Sequence, residues 1–235
     1  MGLDWLAWTL GATVIWGLGT LAAKPTTDRL GPRTTGLGAT LVEGVTFGSV
    51  GLLLPRAAMP ADLRLALAAV GAGTLGAVGY LFFYEGMRHG SVGLVGTISA
   101  ASPTLTVVLS VLFLNESLGA LQVVGVGLTI LCVLLLAYEP KRADTTRRTA
   151  VVMSLLGFFV WGLWGVLIKV SVSALGPGNL DLLLATAYLG VTLAYAVLRR
   201  RPPAATDPPS RRMWTLGVLV FLAGAFGAVG LPIAD

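Results

Sequence analysis

The sequence has little charge. Asp, Glu, Lys and Arg make up only 11% of its 235 residues, while hydrophobic residues make up 55%, and mean hydropathy is +0.85. An ordinary soluble domain carries roughly 25% charged residues. With so few polar side chains a soluble globule of this size could not cover its surface. The composition therefore excludes a soluble enzyme and a disordered chain, and it predicts an integral membrane protein.

Cysteine and histidine occur once each, as Cys132 and His89. No intramolecular disulfide and no multi-histidine metal site can be built from them. No nucleotide-binding fingerprint is present either, so we expect no metal and no cofactor. The net charge of +5 could suggest nucleic acid, but Lys and Arg form short clusters between apolar runs, as membrane topology signals do. We therefore expect a lipid bilayer and a small-molecule substrate as partners, and no nucleic acid.

Eight apolar runs are long enough to cross a bilayer, which needs about 20 helical residues. They are near-continuous rather than alternating, which favours helices over barrel strands. Short connectors rich in Gly, Pro and charge separate them. The prediction is an all-α integral membrane protein that crosses the cell (plasma) membrane many times. The predicted runs are 5–24, 36–55, 65–85, 91–114, 118–138, 150–170, 181–198 and 213–234.

Part of the sequence recurs 145 residues later. A tryptophan motif, a lysine and a Gly-Pro turn keep the same order in both copies, which chance does not readily produce in a Gly- and Leu-rich chain. A further match, Gly76–Gly79 with Gly227–Gly230, has an offset of 151. The three collinear pairs are Trp16-Gly17-Leu18 with Trp161-Gly162-Leu163, Lys24 with Lys169, and Leu30-Gly31-Pro32 with Leu175-Gly176-Pro177.

The repeat divides the chain into a five-span unit at 1–139, a charged linker at 140–147 and a second unit at 148–235. An odd number of spans makes successive units enter the membrane in opposite directions. Such inverted repeats are typical of secondary transporters, with the substrate between the units near the midplane. The second unit holds only three predicted spans. A fragment, a truncated gene and a reduced ten-span plan all remain open.

Three stretches of the fourth and fifth runs resemble the EamA-like family of the drug/metabolite transporter superfamily. Trp16-Gly17 followed by Lys24 is also similar to that family. The resemblance implies an inverted-repeat helical bundle of ten helices in two five-helix units, a central cavity, and transport of small metabolites or drugs, often outward. The three stretches are Ala100-Ala101-Ser102-Pro103, Leu112 to Leu118 and Gly125-Val126-Gly127-Leu128.

Most Lys and Arg residues lie in the odd-numbered connectors. The positive-inside rule then places those connectors in the cytoplasm and the N-terminus outside. Many ten-span relatives are expected to have the N-terminus inside, so the orientation stays open.

Glu43 lies near the middle of the second run. A carboxylate at the centre of a bilayer costs about 2.5–3.5 kcal/mol on insertion scales, so it should face a cavity or a partner. It is a candidate for proton or cation coupling, or for contact with a substrate amine. The alternatives are a structural ion pair and a protonated, hydrogen-bonded carboxyl.

Aromatic residues are the next candidates for substrate binding. Trp16, Trp161 and Trp164 could stack on a planar or apolar substrate, or pack helices or face lipid. Tyr80 and Tyr84 lie four residues apart, hence on one helix face, where cavity lining and core packing are both open.

Four further residues complete the candidate substrate site. Lys24 and Lys169 could contact an anionic substrate group, or extend to the lipid headgroups. Pro103 frees a backbone carbonyl, which could bind substrate or form a hinge, or simply kink the helix. Ser99 could satisfy freed backbone groups or face the cavity.

The leading function is a secondary transporter, an exporter or permease in the sense of the family, that moves small metabolites or drugs by alternating access. A non-transporting membrane subunit or a truncated transporter remnant is the alternative, and a homodimer is open. An intramembrane enzyme is not expected. His89 lies at a span boundary without a serine-centred motif, and the aspartates, Asp181 among them, are predicted at span ends or in connectors.

Overall fold

The structure is a computed structural model that describes residues 4–55, 62–138 and 145–198. All regular secondary structure in these ranges is helical. The predicted eighth run and the motif at Gly227–Gly230 lie outside the described residues. The helices are α1 (Asp4–Leu53), α2 (Leu63–His89), α3 (Val92–Ala100), α4 (Ser102–Leu114), α5 (Ala120–Ala137), α6 (Thr145–Leu175) and α7 (Pro177–Leu198).

Helix α1 breaks at Gly31, whose backbone has φ 80° and ψ 154°. Glycine reaches this region without the steric cost that a Cβ imposes, and Pro32 then suits the first turn of the helix that follows. The first half runs alongside α2 in the same direction. Trp16 and Tyr80 line the same cavity, and further along both helices Lys24 donates to the Met87 carbonyl near the end of α2. The second half runs the opposite way, with Gly36 beside Tyr84 and Glu43 beside Tyr80. The chain therefore reverses where the sequence predicts its first turn.

Within the described ranges, six helical segments are long and apolar enough to cross a membrane. The first, Thr13–Leu53, has 41 residues and includes both antiparallel halves of α1. The segment Val92–Leu114 joins α3 and α4 across a break at Ala101, just before Pro103. Since helices satisfy their own backbone groups, as lipid requires, the prediction of an all-helical membrane protein is confirmed.

A second glycine turn separates α6 from α7. Gly176 has φ 71°, and Pro177 begins the next helix. Helix α7 therefore starts four residues before the predicted run at 181–198. Asp181 is the fifth residue of α7, near the start of the span, and it is buried there, with 2% of it exposed.

Small residues allow the central helices to pack closely, as membrane helices commonly do. A methyl group on Gly51 of α1 would lie 2.9 Å from the Gly178 carbonyl of α7, and one on Gly44 would lie 3.0 Å from Leu189. On α2, a methyl group on Gly73 would lie 2.6 Å from the Ala187 side chain. The spacing of these glycines at three and four residues is therefore explained by helix contact.

Helix α5 differs from the central helices. Only 6% of its most apolar window is buried inside the protein, against 39% for α6. Its leucines, such as Leu121 and Leu135, are largely exposed. An apolar outer face of this kind suits contact with lipid tails, so α5 lies at the periphery and the central helices form the core.

Candidate functional site

A partly open cavity lies where the first half of α1 meets α2, α3 and α6. The space between its walls is about 490 Å³, a figure that includes volume open to the surroundings. The cavity is lined by Trp16, Gly19, Thr20, Ala23, Tyr80, Phe83, Tyr84, Gly96, Ser99, Ala100 and Trp161.

Three of the four helices present a single face to the cavity. The lining positions on each helix repeat at three and four residues, which is the spacing of one helical face. Helix α1 contributes 16, 19, 20 and 23, helix α2 contributes 80, 83 and 84, and helix α3 contributes 96, 99 and 100. Gly96 allows close contact between α3 and α1, since a methyl group there would lie 2.8 Å from Thr20.

Aromatic rings form most of the cavity wall. The ring centres of Trp16 and Trp161 are 6.4 Å apart. Tyr80 meets Trp161 edge-on at 5.2 Å and stacks on Tyr84 at 6.1 Å. Phe83 lies 5.7 Å from Trp161. Rings at these separations attract one another, so the wall is a continuous aromatic cluster centred on Trp161.

The position of Trp161 depends on glycines in α2. Its indole N–H donates a hydrogen bond of 3.1 Å to the Gly76 carbonyl. A methyl group on Gly79 would overlap the indole ring. Only a helix without side chains at this point lets the ring lie against the backbone. The tryptophan is consequently 9% exposed and fixed by both packing and a hydrogen bond.

Glu43 lies behind the tyrosine wall, on the second half of α1. It is 5% exposed, and its carboxylate accepts hydrogen bonds from the hydroxyls of Tyr80 and Tyr188. Tyr80 also lines the cavity, so one hydroxyl separates the carboxylate from that space. Tyr188 is held in turn by Phe47, with ring centres 5.4 Å apart. Glu43 is thus a buried acceptor connected to the cavity through Tyr80.

Ser99 carries a polar group without a partner. It is 1% exposed and lines the cavity. Its hydroxyl has no hydrogen-bond partner in the described part of the chain. A buried hydroxyl left unpaired costs about 1–3 kcal/mol. The oxygen lies beside α6, where a methyl group on Gly157 would be 3.6 Å from it.

Several of the predicted site residues do not line this cavity. Lys24 pairs with Asp28 at 2.8 Å, and Lys169 pairs with Glu116 at 2.5 Å. Pro103 is exposed, near the start of α4. The predicted residues that do line the cavity are Trp16, Tyr80, Tyr84, Ser99 and Trp161.

Trp164 faces another part of the core. It packs against the buried cluster shared by α2, α6 and α7. Its indole nitrogen lies where a methyl group on Gly76 would approach to 3.0 Å. This tryptophan therefore stabilises the contact between helices instead of lining the cavity.

Tyr188 is the main residue that sequence reasoning missed. Its position is the one that corresponds to Glu43 at the repeat offset of 145 residues. Because α7 and the second half of α1 both start at a Gly-Pro turn, the same offset holds along both helices. Adding the same offset of 145 to the position of Glu43 gives Tyr188, so the repeat could have identified this residue.

Long apolar helices around a partly open cavity define a multi-pass helical membrane protein. Residues 3–138 match the EamA-like transporter family. The match covers more than half of the chain, so the protein belongs to the EamA-like transporter family. The family assignment made from the sequence motifs is confirmed, and with it membership of the drug/metabolite transporter superfamily.

Two further similarities accompany the family match. An uncharacterised protein of Methanocaldococcus jannaschii is 29% identical over 124 residues, which are 53% of this chain and 89% of that protein. A crystal structure of another protein superimposes with a TM-score of 0.62 at 18% identity, covering 96% of this chain and 78% of that one. At this level of identity the second similarity concerns the fold alone.

Proposed function

We propose that the protein is a secondary transporter of small molecules in the cell membrane, working by alternating access between two inverted units. The substrate occupies the cavity between Trp16 and Trp161. Residues 1–139 form one unit, and residues from 148 onward form the other. The proposal rests on pairs of contacting residues. When each residue of such a pair is replaced by its counterpart 145 positions away in the repeat, the two counterparts are also in contact.

The contact between the second half of α1 and α7 has this symmetry. Arg33 donates a hydrogen bond to the Ala196 carbonyl. Moving each residue to its counterpart 145 positions away turns this pair into Gly178 and Gly51. A methyl group on Gly51 would lie 2.9 Å from the Gly178 carbonyl, so that pair is also in contact. Reciprocal contacts of this kind occur when two equivalent surfaces are related by a two-fold axis. They therefore support an inverted arrangement of the two units.

Two other features support the same axis. Trp16 and Trp161 are counterparts and their rings contact each other. Glu43 and Tyr188 are counterparts and are joined by a hydrogen bond. A residue can contact its own counterpart only near the axis. The cavity and the carboxylate therefore lie near the centre of the proposed pair of units, where substrate sites of inverted-repeat transporters are found.

The length of one relative supports the proposed boundary between the units. The 124 matched residues are 89% of the Methanocaldococcus jannaschii protein. That protein therefore has about the length of residues 1–139. A chain of that size is consistent with a single five-helix unit as the basic element of the bundle.

Labelling with a membrane-impermeant maleimide tests the inverted arrangement. Arg29 and Ala174 are counterparts, both exposed near the two glycine turns. In a Cys132→Ser background, Arg29→Cys and Ala174→Cys should react from opposite sides of oriented vesicles. Reaction of both from the same side would contradict the inverted repeat.

Transport itself is tested by filling the cavity. Ala100 is an exposed residue of the cavity lining, and Ala100→Trp should abolish solute uptake into proteoliposomes screened with amino acids, nucleosides and small cations. Ala120→Trp on the exposed face of α5 is the matched control and should leave uptake unchanged. If neither the wild type nor the control moves any solute while the labels react from opposite sides, the chain is a non-transporting subunit.

A further inference from the structure

Helix α4 packs mainly against α6, on residues that follow Trp161. Thr106 of α4 donates a hydrogen bond of 2.9 Å to the Gly162 carbonyl. A methyl group on Gly162 would overlap Leu105, and one on Gly165 would overlap Thr106. The two helices can approach this closely only because α6 has no side chains at these two positions. We call this contact the α4–α6 seam.

The buried side chains along the seam include two hydroxyls without a hydrogen-bond partner. Ser99 lies at the cavity end, beside α6, and Ser110 lies four residues after Thr106, on the same face of α4. Each is 1% exposed, and neither hydroxyl has a partner among the residues that the structure describes. Serine in a helix commonly donates to the carbonyl four residues earlier, as Ser154 does. Unpaired buried hydroxyls cost free energy, so a contact that stayed closed permanently would be more stable with alanine at both positions.

An ion pair fastens the seam at its other end. Lys169 lies two turns after Gly162 along α6, and Glu116 lies in the connector just after α4. The Lys169 ammonium and the Glu116 carboxylate are 2.5 Å apart. Their side chains are 45% and 43% exposed, and ion pairs exposed to this degree contribute little to folding stability. The pair can therefore break and re-form without unfolding the chain.

Helix α4 has a weak point next to the cavity. Helical structure is interrupted at Ala101, between α3 and α4. The N–H of Ala101 is shared between the carbonyls three and four residues earlier, and Pro103 has no N–H to donate to the Ser99 carbonyl. Fewer backbone hydrogen bonds thus join α4 to α3 than a continuous helix would have. As a result, α4 can rotate about these residues while α3 keeps its contacts at the cavity.

We infer that the α4–α6 seam is a gate, which opens to water in a second conformation of the protein. Residues 101–103 are its hinge, and the pair of Lys169 and Glu116 is its latch. Opening gives the hydroxyls of Ser99 and Ser110 water as a partner, which offsets the packing lost at the glycines of α6. The inference rests on the proposed function, because alternating access requires a contact beside the cavity that can open and close again.

Solvent access to Ser110 tests the gate. Ser110→Cys is introduced into the full chain in a Cys132→Ser background, and its reaction with aminoethyl methanethiosulfonate is timed in detergent. The thiolate is the reactive form, and it forms where water reaches the sulfur. Breaking the latch with Glu116→Gln should raise the reaction rate about threefold, as expected for the loss of an exposed ion pair. Glu116→Lys should raise it further, and adding Lys169→Glu to that variant should restore slow labelling.

Ser154→Cys is the matched control. Ser154 is fully buried on α6 as well, but it lies away from the seam, against Gly86 of α2. Its reaction rate should stay the same in every variant of the latch. Equal acceleration at both cysteines would indicate general loosening and would overturn the gate. An unchanged rate for Ser110→Cys after the latch is broken would overturn it too.

A second measurement leaves the ion pair intact. Ser110→Ala removes an unpaired hydroxyl and stabilises the closed conformation, so it should raise the Tm in detergent and slow solute uptake into proteoliposomes. Ser154→Ala removes a hydroxyl that donates to the Ala150 carbonyl, and it should not raise the Tm. A Tm that Ser110→Ala leaves unchanged or lowers would contradict a closed state destabilised by that hydroxyl, and with it the gate.

Labelling also separates this inference from the proposed transport function, because it needs no solute. Faster labelling after the latch is broken, with no solute taken up by the wild type, would support the gate and contradict transport. Uptake that Ala100→Trp abolishes, with no change in labelling, would support transport and contradict the gate.

Discussion

The two halves of α1 and the pair α6–α7 are built from the same signals, yet they differ where the chemistry lies. Both pairs carry a Trp-Gly-Leu motif, a lysine and a Gly-Pro turn, and both turns have glycine at positive φ. In the helix that follows each turn, however, the matched position holds Glu43 in the second half of α1 and Tyr188 in α7. The comparison indicates that a common backbone was kept in both copies, while only one copy has a carboxyl group at this pair of matched positions.

The lysines show the same divergence. Lys24 pairs with Asp28 in its own helix and donates a hydrogen bond to the Met87 carbonyl of α2. Lys169 instead pairs with Glu116 in the connector between α4 and α5. Equivalent positions in sequence have therefore acquired different neighbours. Substitutions at matched positions can reveal which differences matter for function.

The largest effect is expected at the pair Glu43 and Tyr188. Glu43→Gln should lower solute uptake by more than about tenfold, because it removes the carboxyl group that accepts the hydroxyls of Tyr80 and Tyr188 beside the cavity. Tyr188→Phe should lower uptake about tenfold or less, since Glu43 keeps its bond from Tyr80. Initial uptake rates in proteoliposomes, corrected for the amount of folded protein, provide the measurement. Equal losses in both variants would mean that the two positions act only as a hydrogen-bonded structural pair.

A smaller effect is expected at the two glycine turns. A methyl group on Gly31 or Gly176 would meet no atom within 4 Å, so substitution tests the backbone alone. Gly31→Ala should lower the free energy of unfolding by about 1–3 kcal/mol, because its φ and ψ lie in a region nearly restricted to glycine. Gly176→Ala should cost about 1–2 kcal/mol. Thermal unfolding in detergent measures both.

Gly17→Ala is the matched control for the two turns. Gly17 lies within α1, and a methyl group there would likewise meet no atom within 4 Å. Alanine favours a helix over glycine by about 0.5–1 kcal/mol, so this variant should be neutral or stabilised. Destabilisation of all three variants by the same amount would contradict a special role for the turns.

The smallest effect is expected at the lysines. Lys24→Met should destabilise the protein by about 1 kcal/mol or less. The loss is small because the ion pair with Asp28 is partly exposed. The Met87 carbonyl near the end of α2 also loses its donor, which adds to the loss. Lys169→Met should have less effect, since Lys169 is more exposed than Lys24 and its only identified partner is Glu116. Denaturant titrations of the two variants give the comparison. A larger loss at Lys169 would reverse the order inferred from these contacts.

Much of the fold could be predicted from local sequence. The apolar runs marked the helices to within a few residues, and Leu30-Gly31-Pro32 marked the reversal within α1. The predicted run at 181–198 begins four residues after α7 does. The Leu175-Gly176-Pro177 repeat carries the better signal, since a Gly-Pro pair defines a helix end and start through backbone geometry.

The candidate site was only partly predictable. Helical spacing identified Tyr80 and Tyr84 as one face, and the repeat singled out Trp16 and Trp161. Nothing in the local pattern distinguished Trp161 from Trp164, which lies three residues later and packs elsewhere. The choice between them is made by Gly76 and Gly79, which belong to another helix.

The sequence by itself determined that the chain is a bundle of membrane helices and where two of its turns occur. Lipid requires backbone groups to be paired within each helix, and glycine and proline restrict the backbone locally. Only the tertiary structure decided that Tyr188 meets Glu43 and that Trp161 of α6 lies against the Gly76 carbonyl of α2. Such meetings depend on how distant helices pack against one another, and packing brings together residues more than a hundred positions apart.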